Sequence, residues 1–195
     1  MPNSYGTIVE GDFDKGVFHE FILKIVGQAV PIRSRECGGL PKLKKNFPAL
    51  LRDLEHSHNG NPVDRVLVIR DADGGDPAIL ERDLANRIQG QEFAFRDGIS
   101  FHAVNQKMDT LLLADPGAIN RVAETRNVLR RRAVRPEGDL ESIVNPKDYL
   151  VDLLTLAGLQ HTAQVCREIA EQADLNLVRR YCPSFQNFIM KVSEE

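Results

Sequence analysis

The chain has 195 residues, 42% of them hydrophobic, and a formal net charge of −3. This length and composition favour one globular domain with a small appendage, and the charge excludes a wholly basic nucleic-acid-binding surface but not a local basic patch. Three widely spaced cysteines match neither a disulfide framework nor a zinc site, and no segment resembles a membrane span or a signal peptide. We therefore expect a cytoplasmic protein with no membrane association.

The first part of the chain alternates between strand and helix patterns. Tyr5–Val9 is a short β-prone run, and apolar residues then recur at helical spacing over residues 17–25. A second strand is predicted at Ala29–Ile32. After a glycine pair, another apolar stripe at helical spacing begins near Pro41, and Pro48 predicts a kink or a helix start within that stripe.

The next segment continues the alternation. Val66–Ile69 is an unbroken apolar run, typical of a strand that is covered on both faces. Pro77 opens a third helix, and the residues on either side of Asp97 and Gly98 predict a hairpin or a pair of edge strands. Strands that alternate with helices indicate an α/β fold with a mostly parallel sheet and helices on both faces.

From Lys107 onward the pattern is helical. We expect residues 1–115 to form the α/β core and residues 116–195 to form a helical extension packed on it. Residues 121–141 are charged and poor in apolar side chains, so they predict an exposed arm with a cluster of arginines. Phe185 and Phe188 in the closing helix are predicted to pack in the core.

Acidic residues follow two of the predicted strands. Glu10 comes directly after the first strand and Asp71 and Asp73 follow the third, while Asp14 lies one helical turn beyond Glu10. Ligands bind beyond the carboxyl ends of parallel strands, and alternate residues of an extended chain face the same way, so these acids are expected to meet at one edge. Several carboxylates at close range favour Mg²⁺ or Mn²⁺. The alternative is that each acid caps a helix, which is what we expect of Asp76 before Pro77.

Two motifs carry a resemblance to a known family. "TIVEGDFDKGVF" followed by "RVLVIRDADGGD" resembles the Toprim domain of topoisomerases, primases and related nucleases, over roughly Tyr5 to Asp115. Within that family the chain is most similar to small stand-alone bacterial proteins of unassigned function, which resemble the nuclease domain of the overcoming-lysogenization-defect type. The resemblance implies a Toprim-like, Rossmann-like fold and hydrolysis of a phosphodiester bond.

The resemblance also implies roles for individual residues. Glu10 stands where the family has a metal ligand or general acid-base, Asp14 completes the E-x-x-x-D of the nuclease branch, and Asp71 and Asp73 match the metal-binding pair. In "KMDTLLLADP" a further acid is expected, for which Asp109 is the candidate and Asp115 the rival. The nuclease branch also uses a late lysine, and Lys147 in "NPKDYL" is the candidate.

A basic run surrounds the second predicted strand and helix. Its members are Arg33, Arg35, Lys42, Lys44 and Lys45. Such charges hold a phosphate backbone with a strong dependence on salt, or form a solvated helix face. Nucleic acid is the expected partner, with DNA favoured over RNA. The relatives' nuclease domain accompanies an ABC-type ATPase that we do not find in this sequence, so an ATPase is a second expected partner.

Two functional hypotheses therefore stand. In the first, Glu10, Asp14, Asp71, Asp73 and Asp109 bind Mg²⁺ or Mn²⁺ and the protein hydrolyses nucleic acid. In the second, the domain is a non-catalytic module that binds nucleic acid or an ATPase, for instance in phage defence. A manganese glycosyltransferase shares the D-x-D motif, and a haloacid-dehalogenase phosphatase needs a nucleophilic aspartate after the first strand. Glu10 at that position argues against both.

Overall fold

The computed structural model describes residues 2–57 and 60–193, and within them four parallel strands form one sheet in the order β2-β1-β3-β4. The strands are β1 (Tyr5–Val9), β2 (Ile32–Glu36), β3 (Arg65–Asp71) and β4 (Ile99–Val104). Helices flank the sheet, and several further helices follow it in the chain. The predicted α/β fold with C-terminal helices is therefore confirmed.

The helices fall into two groups. Those between the strands are α1 (Asp12–Val26), α2 (Leu40–Leu54) and α3 (Pro77–Arg87). Those after β4 are α4 (Met108–Leu113), α5 (Pro116–Thr125), α6 (Pro146–Ala157), α7 (Ala163–Gln172), α8 (Leu175–Tyr181) and α9 (Phe185–Ser193), with a 3₁₀ turn at Leu140–Ser142. None of the helices in the described ranges combines the length and the apolar character that a membrane span requires.

The sheet separates two hydrophobic cores, because successive side chains of a strand point to opposite faces. In β3, Leu67 and Ile69 pack with α1 and the C-terminal helices, whereas Val66 and Val68 pack with α2 and α3. A central strand covered on both faces must be apolar at nearly every position, which explains the unbroken run in the sequence. Each fully buried aliphatic side chain contributes about 1.5–3 kcal/mol to folding.

The C-terminal helices share the first core with the sheet rather than forming a separate unit. Phe185 and Phe188 of α9 are buried there, as predicted. The Tyr5 hydroxyl of β1 donates a 2.8 Å hydrogen bond to the Val192 carbonyl, and the Arg65 guanidinium donates a 2.8 Å hydrogen bond to the Lys191 carbonyl. The last helix is therefore tied to two central strands.

Three local predictions in the α/β half were wrong. The second strand lies at Ile32–Glu36 and so begins where the predicted strand Ala29–Ile32 ended, because residues 27–31 form the connection after α1. Helix α2 runs through Pro48 without interruption, since its apolar stripe stays packed on the sheet. The predicted hairpin is absent from the described residues. The strand after Gly98 pairs in parallel with β3 instead.

The segment predicted as an exposed arm, residues 121–141, also differs from expectation. Its first residues belong to α5, and most of the rest are exposed. However, the amide oxygen of Asn120 accepts from the Ala133 backbone amide, and its nitrogen donates to the Ala133 carbonyl. Arg130 and Arg131 donate backbone hydrogen bonds to the end of α6, and Leu140 is fully buried. The segment is therefore a surface connection fastened at several points.

Candidate functional site

The strand order creates a crevice at the carboxyl edge of the sheet. The connection from β1 to β2 passes through α1 on one face of the sheet. The connection from β3 to β4 passes through α3 on the opposite face, so the two connections diverge between the neighbouring strands β1 and β3. Ligands of open α/β sheets bind at such a switch point. Glu10 follows β1 and Asp71 ends β3, so both lie at this crevice.

Backbone amides fix three acidic side chains at the crevice. The Asp71 amide donates to Oε1 of Glu10 at 3.0 Å, which joins the ends of the two strands. The Gly11 amide donates to Oδ2 of Asp14 at 3.0 Å, in the first turn of α1. The Met108 amide, at the start of α4, donates to Oδ1 of Asp71 at 2.9 Å. Three elements thus converge on one group of carboxylates.

Burial outweighs the donors and cations around these acids, so their pKa values are raised. Burial, together with the charges of Asp14 and Glu10, raises the pKa of Asp71 to about 8. Burial and the charges of Glu10 and Asp109 raise the pKa of Asp14 to about 7. Burial also raises the pKa of Glu10. A bound cation is the kind of group that stabilises such carboxylates in their ionised form.

Asp109 belongs to the same cluster. It lies in the first turn of α4, it is 7% exposed, and its charge acts on both Asp14 and Asp71. Its Oδ1 lies 3.6 Å from Nε2 of His161, whose ring stacks on Phe13 with a centroid distance of 4.7 Å. Burial raises the pKa of Asp109, while the charges of His161 and Lys147 oppose that rise.

Asp115, the rival candidate, lies outside the cluster. It caps α5 by accepting from the Ala118 amide at 3.3 Å, and it also accepts from the Asp174 amide at 3.0 Å. Its other close partner is the guanidinium of Arg121, at 3.0 Å. Asp76 is a helix cap as predicted, since its Oδ1 accepts from the Ala78 amide at 2.9 Å.

Asp73 does not face the same way as Asp71 through strand alternation, because the strand ends at Asp71. Asp73 has a φ of 49°, and its amide donates to the Gln106 carbonyl at 3.0 Å. Its carboxylate forms a 2.8 Å ion pair with Lys107. The assumption of an extended chain was therefore wrong for Asp73, which lies at the rim of the crevice in a turn.

Cationic side chains surround the acids. Lys147 is exposed in the first turn of α6, and its charge acts on Asp109 and His161. Sequence reasoning missed Lys107 and Arg70, whose charges both lower the pKa of Glu10. Arg70 is the cation that directly follows the apolar run Val66–Ile69, and its position in "LVIRD" was the available signal.

The basic run flanks the crevice on the β2 and α2 side. Arg35 forms a 2.5 Å ion pair with Asp53, so its charge is already matched. Within the described ranges, Arg33, Lys42, Lys44 and Lys45 form no ion pair with an acidic side chain. These four cations are therefore available to an anionic partner.

The donor chemistry of the cluster suits a hard divalent cation, because all of its acids offer carboxylate oxygens. Across residues 2–57 and 60–193, however, no three Asp, Glu, His or Cys side chains stand where they could jointly hold a metal ion. Asp73 is engaged by Lys107, and Glu10, Asp14 and Asp71 accept hydrogen bonds from backbone amides. Metal binding would therefore require these side chains to reorient.

Comparison with known proteins gives one family and two related structures. The family model described as "Domain of unknown function (DUF4276)" matches residues 9–193. Two structures of the C-terminal region of the Xanthomonas campestris pv. campestris OLD protein, phased with iodine and with mercury, are similar at 17% and 15% identity. Their TM-scores are 0.47 and 0.44, and each match covers 95% of both chains. No curated protein matches the chain.

Proposed function

Since the chain belongs to the DUF4276 family, whose function is unknown, we propose from its own residues that it is a Mg²⁺- or Mn²⁺-dependent phosphodiesterase that acts on nucleic acid, with DNA favoured over RNA. One observation carries the proposal. Glu10, Asp14, Asp71 and Asp109 gather at the switch point of a parallel sheet, and the pKa of each is raised, by burial above all. Folding alone gains nothing from such an arrangement.

The metal would be held by carboxylates of the cluster. Glu10, Asp14, Asp71 and Asp109 are the proposed ligands, and Asp73 joins them once it releases Lys107. A bound divalent cation would polarise the phosphodiester and lower the pKa of a bound water. The same cation would favour the ionised form of acids that otherwise retain protons near neutral pH.

The chain's own groups supply the remaining chemistry. Glu10 is proposed to transfer a proton, because its pKa is raised and its orientation is fixed by the Asp71 amide. Lys147 and Lys107 are proposed to face the phosphate, where an ammonium offsets the negative charge that develops in the transition state. His161 stacks on Phe13 with its Nε2 3.6 Å from Oδ1 of Asp109, and we propose that it orients this carboxylate.

The nucleic acid is proposed to lie along the basic run. Arg33, Lys42, Lys44 and Lys45 provide unpaired charge beside the crevice, and Arg35 contributes less because of Asp53. Each phosphate neutralised by a cation adds about 0.7–0.9 to the slope of log affinity against log salt. An ABC-type ATPase is a further proposed partner. The cleavage assay below contains no ATPase, so nicking in that assay would show that the chain does not need one.

One observation favours a second candidate function. No three potential ligands within the described residues are placed to hold a metal together, as expected of a Toprim-like module that binds nucleic acid or an ATPase without catalysis. Such a module would bind DNA equally well in chelator and in Mn²⁺, and it would cut in neither.

The proposal is tested by nicking of supercoiled plasmid in Mn²⁺, with Asp71→Asn and Asp76→Asn as matched variants. Both substitutions remove one charge from the same short segment, but only Asp71 lies in the cluster. We expect nicking by the wild type and by Asp76→Asn, and none by Asp71→Asn or in EDTA. Cleavage by Asp71→Asn at the wild-type rate would overturn the proposal. If no protein cuts but all bind DNA, the binding module is supported.

A further inference from the structure

The start of α2 has backbone amides that no side chain satisfies. This 15-residue helix begins after Gly39, no side chain caps it, and its first turn contains no acid. The Gly39 amide donates to the Glu10 carbonyl at 2.8 Å. Over the described part of the chain, no hydrogen-bond acceptor is found for the amides of Gly38, Leu40 or Lys42. These amides are therefore free to bind an acceptor beside the carboxyl edge of the sheet, where Gly39 meets Glu10.

Lys42 adds a charge at the same place. A side-chain carbon on Gly38 would lie 3.5 Å from Nζ of Lys42, so the ammonium lies directly over the glycine. Gly38 and Gly39 have φ values of 71° and 108°, in the region that glycine adopts without strain. No carboxylate pairs with Lys42 in the described ranges, so its positive charge adds to the positive potential at the N-terminus of α2.

Arg70 supplies an independent indication of an anionic ligand. It is only 4% exposed, and its Nη1 is buried without a hydrogen-bond partner. A buried guanidinium nitrogen without an acceptor is unfavourable, so native proteins seldom leave one unpaired. An anion at this position would remove that cost.

The orientation of Arg70 directs it towards α2. Val66 and Val68 pack in the core beneath α2 and α3, and Arg70 lies on the same face by strand alternation. Its Nε donates to the Asp71 carbonyl at 2.9 Å. That carbonyl faces β1, because the following residue, Ala72, is the one that bonds to β4. The guanidinium is thus turned to the end of β1, where Glu10 meets Gly39.

We propose that Gly38, Leu40, Lys42 and Arg70 form a binding site for a phosphate group, immediately beside the acidic cluster. The site combines free amides at a helix N-terminus, an ammonium and a planar guanidinium, the groups that bind phosphate most strongly in proteins. The inference rests on the proposed function only in naming nucleic acid as the source of the phosphate. On nucleic acid, the site would hold a backbone phosphate next to the phosphate at which the strand is cut.

The site is tested by amide NMR of the ¹⁵N-labelled full chain in EDTA, with inorganic phosphate as the first probe. We expect saturable shifts of the Gly38, Leu40 and Lys42 amides and of the Arg70 Nε–H group. Lys42→Gln should weaken binding about tenfold, which is the loss of one charge-assisted hydrogen bond. Arg82→Gln is the matched control, with the same charge change at an exposed residue of α3 outside the proposed sites, and should alter affinity by less than about twofold.

The second probe is a short oligonucleotide without terminal phosphates, which separates the two sources of phosphate. Shifts of the same amides with this probe support a nucleic-acid backbone as the ligand. A response to inorganic phosphate alone overturns the nucleic-acid assignment. Equal weakening by Lys42→Gln and Arg82→Gln, or shifts spread over the exposed lysines, would overturn the site itself.

A third variant tests the buried partner. Arg70→Lys keeps the charge but loses the planar fork, and it should weaken phosphate binding in a protein whose remaining amide spectrum is unchanged. If Arg70→Lys does not fold, Lys42→Gln still decides the outcome. Because the titration contains no metal, absent phosphate binding with intact cleavage contradicts this inference alone. Phosphate binding without cleavage contradicts the proposed nuclease activity alone.

Discussion

Two buried carboxylates of this protein have opposite surroundings. Asp115 is 3% exposed and accepts hydrogen bonds from two backbone amides while it pairs with Arg121. Asp71 is partly buried, but it accepts one backbone amide and has the acids Asp14 and Glu10 as its charged neighbours. The first arrangement is what a stable fold requires of a buried charge, and the second is what a fold avoids unless a ligand offsets it.

The difference teaches which acids to regard as functional. Burial is common to both sites, so burial alone does not distinguish them. The distinguishing feature is whether the protein supplies donors and cations to match the charge. By this criterion Asp76 and Asp115 serve the architecture, and the crevice acids are the ones that we propose to bind a metal ion.

The largest expected effect separates Asp109 from Asp115 in metal-dependent cleavage. Asp109→Asn should lower the cleavage rate about 100-fold, because it removes a proposed metal ligand without a change of shape. Asp115→Asn should leave the rate per folded molecule unchanged. Rates are measured on the same plasmid in Mn²⁺, with the folded fraction determined by circular dichroism. Loss of activity in both variants to the same extent would remove the distinction between the two acids.

The second-largest effect concerns the free energy of unfolding, which we expect to depend on Asp115 and not on Asp71. Asp115→Ala should lower the free energy of unfolding by about 2–4 kcal/mol, since two amides and Arg121 lose their shared acceptor in a buried position. Asp71→Asn should not destabilise the protein, because the amide oxygen still accepts from Met108 and like-charge repulsion is relieved. Urea denaturation measures both. A destabilised Asp71→Asn protein would show that the charge of Asp71 contributes to folding.

The third prediction uses pH. Burial above all raises the pKa of Asp14 to about 7 and that of Asp71 to about 8 in the folded protein. Both values exceed the unfolded value of about 4, so protonation stabilises the fold. This stabilisation is complete below about pH 4 and is lost as the pH rises through 7 and 8. The melting temperature in EDTA should therefore fall between pH 6 and pH 9.

Metal addition sharpens the pH prediction. Mg²⁺ or Mn²⁺ should raise the melting temperature more at pH 9 than at pH 6, since cations bind the ionised acids. Asp71→Asn should flatten both responses. The measurement is thermal denaturation across pH with EDTA or excess metal. A melting temperature that is independent of pH in this range would mean that the crevice acids are ionised without any ligand.

The smallest effect concerns the exposed cap. Asp76→Ala should cost about 1 kcal/mol, which is typical for the loss of one N-cap side chain. Its carboxylate accepts only the amides at the start of α3 and lies in solvent. Urea denaturation of this variant beside Asp115→Ala compares an exposed cap with a buried one. Equal losses in the two variants would mean that burial adds nothing to a cap.

Much of this architecture is visible in the sequence because local chemistry dictates it. The apolar run at β3 requires burial on both faces, and Asp76 with Pro77 specifies a helix start. Glu10 and Asp71 were expected to meet because parallel strands end at a common edge, and the Asp71 amide joins them. In each case the decisive interactions lie within a few residues or follow from strand direction.

The remaining features depend on contacts that no local pattern encodes. Pro48 lies inside α2 because packing on the sheet outweighs the missing backbone hydrogen bond. Asp73 turns to Lys107 because the strand stops two residues earlier, and strand ends are poorly defined by sequence. Arg70 and His161 gain their importance from Glu10 and Asp109, which are distant from them in the chain.

The bond from Tyr5 to Val192 spans 187 residues, and it has a consequence for the order of assembly. Strand β1 cannot make all of its native contacts until α9 has been synthesised. Part of the core beside β1 and β3 therefore stays exposed until then. Contacts of such long sequence separation slow folding, because the chain must close a large loop before the contact stabilises anything. The core beside β1 and β3 is therefore expected to be completed only when α9 docks on it.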